Sequence, residues 1–277
     1  MGKQLKPNEI LDANIESGVV KAGGSFGKLF VLAIMAGAFI AFGAESSNMA
    51  AYGLLSDPMT FGQGKALAGA LFAAGLMMVI LCGGELFTGN CLMVTSLLDR
   101  RISAGRMLRN WVIVYIGNFV GGAGIAYLMS VTGLFASGGG ALGAMTVKIA
   151  AGKCALTFGK AFVMGILCNI LVCLAVWLAT GADSTIGKIF GIFFPIWVFV
   201  TSGFEHSVAN MYYVPAGIFA KGDAALLANS ALSPELLSGL NWQNFLVANL
   251  VPVTLGNIVG GAIFVGCAYY FAYKKAK

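Results

Sequence analysis

Apolar residues in this chain gather into six long runs, near residues 28–54, 65–98, 107–133, 156–180, 187–220 and 244–273. A helix needs about 20 apolar residues to cross a bilayer, so each run predicts one membrane span. The second and fifth runs are longer than one span requires, and each carries polar residues in its middle. In the second these are Gly83-Gly84-Glu85-Leu86-Phe87-Thr88-Gly89-Asn90. In the fifth they are Thr201-Ser202-Gly203-Phe204-Glu205-His206-Ser207-Val208-Ala209-Asn210. A carboxylate at membrane depth is costly unless protein or a wet cavity shields it. Both runs therefore predict discontinuous helices, two half-helices joined by backbone that lines an aqueous path.

The two halves of the chain resemble each other. Gly117-Asn118-Phe119-Val120-Gly121-Gly122 in the third run returns as Gly256-Asn257-Ile258-Val259-Gly260-Gly261 in the sixth. The broken second run matches the broken fifth, with Thr88 taken as the counterpart of His206. Three spans per half is an odd number, so the second half must be inverted relative to the first. The fold class predicted is an all-α integral membrane protein, an inverted 3+3 repeat with broken helices meeting near the midplane. No charged or Pro/Ser-rich linker divides residues 1–277, which predicts a single transmembrane domain.

Composition excludes a soluble reading. Hydrophobic residues make up 58% of the chain and charged residues 10%, against roughly 25% charge in ordinary soluble domains. The 39 glycines suit membrane helices, where close backbone approach drives packing. The net charge of +6 sets topology and does not indicate nucleic acid. Lys3, Lys6, Lys21, Lys28, Arg100, Arg101, Arg106, Arg109, Lys188, Lys274, Lys275 and Lys277 fall on one side if the spans alternate. Only Lys65, Lys148, Lys153, Lys160 and Lys221 fall on the other. The positive-inside rule then places both termini in the cytoplasm and the protein in the inner (plasma) membrane. The first residues are polar and mixed in charge, without the apolar core of a cleavable signal peptide. Within residues 1–27, Ile10, Leu11, Ile15 and Val19 lie near helical spacing and predict a short amphipathic cytoplasmic helix. Residues 274–277 form the predicted cytoplasmic tail. The six cysteines show no metal spacing and sit mostly in apolar runs as small hydrophobes.

His206 is the only histidine. The lack of a companion cluster argues against a metal site, and no cofactor is predicted. At a helix break its imidazole is a candidate donor to a passing anion; the alternative is a buried histidine satisfied by a backbone carbonyl. The Thr88 hydroxyl either bonds His206 or a ligand, or bonds its own preceding turn. Lys153 is read as following a glycine-rich loop at the start of the fourth span, where it either concentrates anions in a vestibule or snorkels to the interface. Glu205 is its candidate partner, and Lys21 a candidate for the same role on the cytoplasmic side. Phe72, Leu76, Leu86, Phe87, Val172 and Phe199 surround the breaks, as helix packing or as apolar constrictions that dewet.

Several spaced segments in order resemble the formate/nitrite transporter family: Glu85-Leu86-Phe87-Thr88, Gly165-Ile166-Leu167-Cys168-Asn169 with Leu171-Val172-Cys173-Leu174-Ala175, the stretch from Ser202 to Asn210, and Pro252-Val253-Thr254-Leu255-Gly256-Asn257. The resemblance covers nearly the whole chain. It implies an aquaporin-like protomer in a homopentamer, each protomer with its own pore for formate, nitrite or hydrosulfide, the formate and hydrosulfide branches being nearest. It implies that Thr88, Asn169 and His206 line the central site. It further implies that Leu76, Leu86, Phe87, Val172 and Phe199 form two constrictions, and that Lys153 and Glu205 mark the vestibule. Passage is expected to be passive or linked to protons. Two rival readings are a neutral-solute channel, disfavoured by the lack of an Asn-Pro-Ala triplet, and a membrane-embedded enzyme. No enzyme is predicted.

Overall fold

The computed structural model describes residues 4–228 and 230–274. Lys3 and all of the predicted tail except Lys274 lie outside the described residues. Those described form helices and connecting loops, with no strand among them. The helices are α1 (Pro7–Ala22), α2 (Phe26–Ser56), α3 (Phe61–Cys82), α4 (Phe87–Leu98), α5 (Ala104–Val131) and α6 (Ala141–Cys154). After them come α7 (Phe158–Gly181), α8 (Thr185–Ser202), α9 (Ser207–Ala220), α10 (Ala224–Ala228), α11 (Pro234–Gly239) and α12 (Trp242–Tyr273). Six of these, α2, α3, α5, α7, α8 and α12, are long and apolar enough to cross a membrane.

The two interruptions arise where glycine permits them. Helix α3 ends at Gly83 and α8 at Gly203, both left-handed, with φ of 87° and 79°. A side chain with a Cβ is strained in that conformation. The chain then runs extended for a few residues and re-enters a helix at Phe87 and at Ser207. The carboxyl-terminal span α12 is continuous but widens into π-helical turns over Phe245–Leu250 and Val259–Cys267. Pro252 has no N–H and crowds the carbonyl four residues back, which falls in the first of these wide segments.

The repeat is larger than three spans per half. Helix α1, which buries Ile10, Leu11 and Ile15 against Trp177, has a counterpart in α6, which precedes the fourth span. Lys153 therefore does not sit at the start of that span. It belongs to the last turn of α6, as Lys21 belongs to the last turn of α1. Each half is thus an amphipathic or half-buried helix, a full span, a broken pair and a second full span.

Close packing of the halves follows the repeated glycine motif. A Cβ on Gly121 would collide with the Ile34 carbonyl, and one on Gly260 with the Ile166 carbonyl. At both places small residues let two spans touch through their backbones.

The basic residues separate to the two ends of the bundle. Lys21 and Lys188 line a cavity at one end, and Arg101 pairs there with Glu16 of α1 at 2.8 Å. Lys65, Lys148 and Lys153 line a cavity at the other.

Candidate functional site

Each helix break is held by an asparagine from a neighbouring full span. Asn118 of α5 accepts the Phe87 N–H at 2.9 Å and donates to the Ala33 and Glu85 carbonyls at 2.8 and 2.9 Å. Asn257 of α12 accepts the Ser207 N–H at 2.9 Å and donates to the Gly165 and Glu205 carbonyls at 2.8 and 3.0 Å. Orphan backbone groups at the ends of half-helices would otherwise lie unsatisfied at membrane depth. The remaining glutamate N–H groups go to the neighbouring spans, Glu85 to the Leu32 carbonyl and Glu205 to the Met164 carbonyl.

A second network repeats in the same way. Lys21 Nζ donates to Glu85 Oε1 at 2.9 Å, and Lys153 Nζ to Glu205 Oε1 at 2.8 Å. The other glutamate oxygen accepts from Asn90 at 2.7 Å in the first half and from Asn210 at 2.6 Å in the second. Those asparagines also donate to Asn110 and Asn249, at 2.9 and 2.8 Å. These in turn donate to the Lys21 and Lys153 carbonyls at 3.1 and 3.0 Å. The asparagines escaped the sequence reading, although the matched spacing of Glu85 to Asn90 and of Glu205 to Asn210 was a usable signal.

With Glu85 aligned on Glu205 and Asn90 on Asn210, His206 falls opposite Leu86, and Thr88 opposite Val208. The matching of Thr88 to His206 is therefore corrected. The two residues nonetheless meet, because the half-helices approach each other end to end. Thr88 Oγ1 lies 2.8 Å from His206 Nε2, and both residues are buried. His206 caps α9, its Nδ1 accepting the Ala209 N–H at 3.1 Å. A neutral imidazole whose Nδ1 accepts must carry its proton on Nε2. Nε2 then donates to Thr88 Oγ1, and the threonine hydroxyl hydrogen is left free to turn elsewhere.

Asn169 approaches this pair from behind. Its amide donates to the Thr88 carbonyl at 3.2 Å and to the Asn257 carbonyl at 2.6 Å. Cys173 Sγ also reaches the Thr88 carbonyl, at 3.4 Å. Asn169 thus holds the backbone that presents Thr88.

Two cavities lie on either side of the helix breaks; His206 lines the first and Thr88 lines neither. One, of about 350 Å³, is lined by Lys153, Glu205, His206, Phe72 and Phe199 among others. The other, of about 480 Å³, is lined by Lys21, Glu85, Leu76, Val79 and Leu86. Phe72 and Phe199 meet edge to face at 5.5 Å, and the Phe199 ring lies 5.9 Å from the imidazole. Phe87 and Val172 are buried but line neither cavity. Phe87 instead packs edge-on against Trp111 and Tyr115 of α5. Lys153 also lies over the Tyr213 ring, 5.3 Å from its centroid. Among the described residues no group of His, Cys, Asp and Glu is placed to hold a metal.

Broken membrane helices meeting at a buried polar pair, with a lysine-lined cavity at each end, define a multi-pass membrane transport protein. The family profile described as formate/nitrite transporter matches residues 8–271. The chain is 43% identical to a probable formate transporter from Methanothermobacter thermautotrophicus, over 99% of this chain and 100% of that one. It is 40% identical to the formate channel FocA of Escherichia coli (strain K12), over 98% of this chain and 95% of that one. A solved pentameric formate channel with formate bound superposes with a TM-score of 0.78 at 39% identity, covering 90% of this chain and 98% of that one. The chain belongs to the formate/nitrite transporter family, whose members are transporters and not enzymes.

Proposed function

We propose that this protein conducts formate and related small monovalent anions, nitrite and hydrosulfide, between the Lys153 and Lys21 cavities. The observation that carries the reading is the buried His206–Thr88 pair at the helix breaks that those cavities flank. Lysines draw the anion in, and Glu205 and Glu85 limit how tightly it is held. The apolar side chains of Phe72, Phe199, Leu76 and Leu86 form the constrictions, backed by Phe87 and Val172. An ion stripped of water in such a slot pays a large desolvation cost unless hydrogen bonds replace the water. The Thr88 hydroxyl and His206 Nε2–H supply them. Taking up a second proton at Nδ1 would break the cap to Ala209, so the ring acts as a neutral donor. In the proton-linked regime the proton arrives from water together with the anion.

The assembly is read as a homopentamer in the plasma membrane with both termini cytoplasmic. Similarity to a pentameric formate channel and the charge asymmetry between the two ends support this. The test is uptake by proteoliposomes of formate, nitrite, hydrosulfide and glycerol in one preparation. Fast passage of the anions with glycerol excluded is expected. Glycerol permeation without anion flux would replace this reading with a neutral-solute channel.

A further inference from the structure

The turn between α4 and α5 is more basic than its fold requires. Helix α4 closes in a Schellman turn, with the Arg101 N–H on the Ser96 carbonyl at 2.9 Å and the Arg100 N–H on the Leu97 carbonyl at 3.0 Å. This puts Arg100 in the left-handed region, with φ of 58°. Glycine or asparagine is the usual occupant of that position, because a larger side chain is strained there. The turn and the start of α5 border a cavity of about 520 Å³, lined by Leu97, Arg100, Arg101, Ile102, Ser103 and Arg106.

Neighbouring carboxylates do not neutralise this cavity. Glu16 is taken by Arg101 at 2.8 Å, and Asp99 by Lys274 at 2.7 Å. Among the described residues the Arg100 and Arg106 guanidinium groups have no hydrogen-bond or ion-pair partner. The other half of the repeat keeps the helices and omits the charge. With Glu85 aligned on Glu205 and Asn118 on Asn257, Arg100 falls opposite Ala220, Arg101 opposite Lys221 and Arg106 opposite Phe245. Lys221 Nζ is occupied by the Leu237 and Leu240 carbonyls, at 3.1 and 2.6 Å. A topology signal needs positive charge on one side, but not unpaired arginines gathered round one cavity.

The depth of the cavity points to its ligand. Helix α5 has 28 residues and is therefore about 42 Å long, the thickness of a bilayer with its headgroup layers. Its first turn thus lies at headgroup level. From there Leu108, Val112 and Ile116 run along α5 at four-residue spacing as an exposed apolar ridge.

We infer that the Arg100–Arg106 cavity binds the headgroup phosphate of an anionic phospholipid, drawn from the leaflet at the Lys21 end, with an acyl chain along the Leu108–Ile116 ridge. Guanidinium groups match phosphate oxygens in pairs, and basic pockets beside membrane helices at this depth recognise such headgroups. None of these residues lines either pore cavity, so the site is separate from the conduction path.

The test is native mass spectrometry of the full chain in detergent, titrated with dioleoyl phosphatidylglycerol or dioleoyl phosphatidylcholine. Saturable binding that favours phosphatidylglycerol is expected. Arg106→Gln and Arg100→Gly are each expected to weaken it about fivefold, the worth of one basic residue at a membrane surface. Arg100→Gly is also expected to melt no lower than wild type, because glycine suits the left-handed turn. A loss of lipid without a loss of stability separates binding from structure. Lys188→Gln removes a charge at the same end but from the other cavity, and is expected to bind as wild type does. Equal affinity for the two lipids, unchanged affinity when Arg100→Gly and Arg106→Gln are combined, or an equal loss in Lys188→Gln overturns the site. Displacement of the lipid by equimolar inorganic phosphate overturns the lipid assignment in favour of a free anion.

Discussion

The Lys21–Glu85 half and the Lys153–Glu205 half are built from the same hydrogen bonds, residue for residue, yet only one carries a histidine. Leu86 occupies in the first half the place that His206 holds in the second. The ion pair around His206 is the more buried one, with Lys153 and Glu205 side chains 15% and 5% exposed against 26% and 12% for Lys21 and Glu85. The difference separates scaffold from chemistry. The asparagine bridges solve a problem common to any broken membrane helix and so are duplicated. The polar centre of the slot is needed once, and is assembled from non-equivalent positions, Thr88 of one half and His206 of the other.

The bridges carry the largest expected effect. Asn118→Leu strands the Phe87 N–H and the Glu85 carbonyl at one break, and Asn257→Leu the Ser207 N–H and the Glu205 carbonyl at the other. At about 1–3 kcal/mol for each unsatisfied group, either change removes much of the stability of a typical domain. Both variants are expected to lose the folded protein in detergent, measured by thermal melting with size-exclusion chromatography. Tolerance of one and collapse of the other would break the equivalence of the halves.

Removing the countercharges sharpens the comparison at smaller scale. Glu205→Gln and Glu85→Gln keep the side-chain shape and free the neighbouring lysine to hold an anion. Half-saturation for formate flux is expected to fall, on the order of fivefold for Glu205→Gln and less for the more exposed Glu85→Gln. Equal effects, or a rise in half-saturation, would contradict the role assigned to the glutamates.

The smallest effect concerns a clasp that ties the end of α12 to the first half. Lys274 Nζ lies 2.7 Å from Asp99 and 3.8 Å from Asp12 of α1. The hydrogen bond from Lys274 holds the Asp99 carboxyl below the usual carboxylate range. A group with a lowered folded-state pKa stabilises above its unfolded value, near 4, and loses that stabilisation as the pH falls further. The Lys274 and Asp99 side chains are 28% and 17% exposed, and a single ion pair at the end of the bundle contributes little, so the shift in melting temperature is expected to be small. Asp99→Asn should abolish the part of the acid-side decline that this pair contributes, read as melting temperature against pH below about 4. An unchanged profile would remove the clasp from the account.

Much of this was legible in the chain. Six spans and two breaks followed from run length and from glutamates beside glycines, because lipid leaves the backbone few options. The repeated Gly-Asn-x-Val-Gly-Gly segment pointed to Asn118 and Asn257 without revealing that their amides staple the breaks. Helix α6 was read as loop: its small, mixed residues after Ser137-Gly138-Gly139-Gly140 lack a clear period, and its helical state depends on packing against α9. Side-chain direction at a break was beyond reach. It depends on the extended backbone at Leu86 and His206, and so the outward turn of Phe87 and the pairing of Thr88 with His206 emerge only in three dimensions.

The role proposed for the single histidine is to make the slot passable. It is tested most directly by formate flux through proteoliposomes of His206→Leu, which gives the second half the residue of the first, beside Leu86→His. A hydrogen bond to a charged solute is worth about 1.5–3 kcal/mol, so His206→Leu is expected to slow flux by roughly ten- to a hundredfold. Adding Leu86→His to it should not restore the rate, because position 86 does not face Thr88. Undiminished flux in His206→Leu would contradict the account.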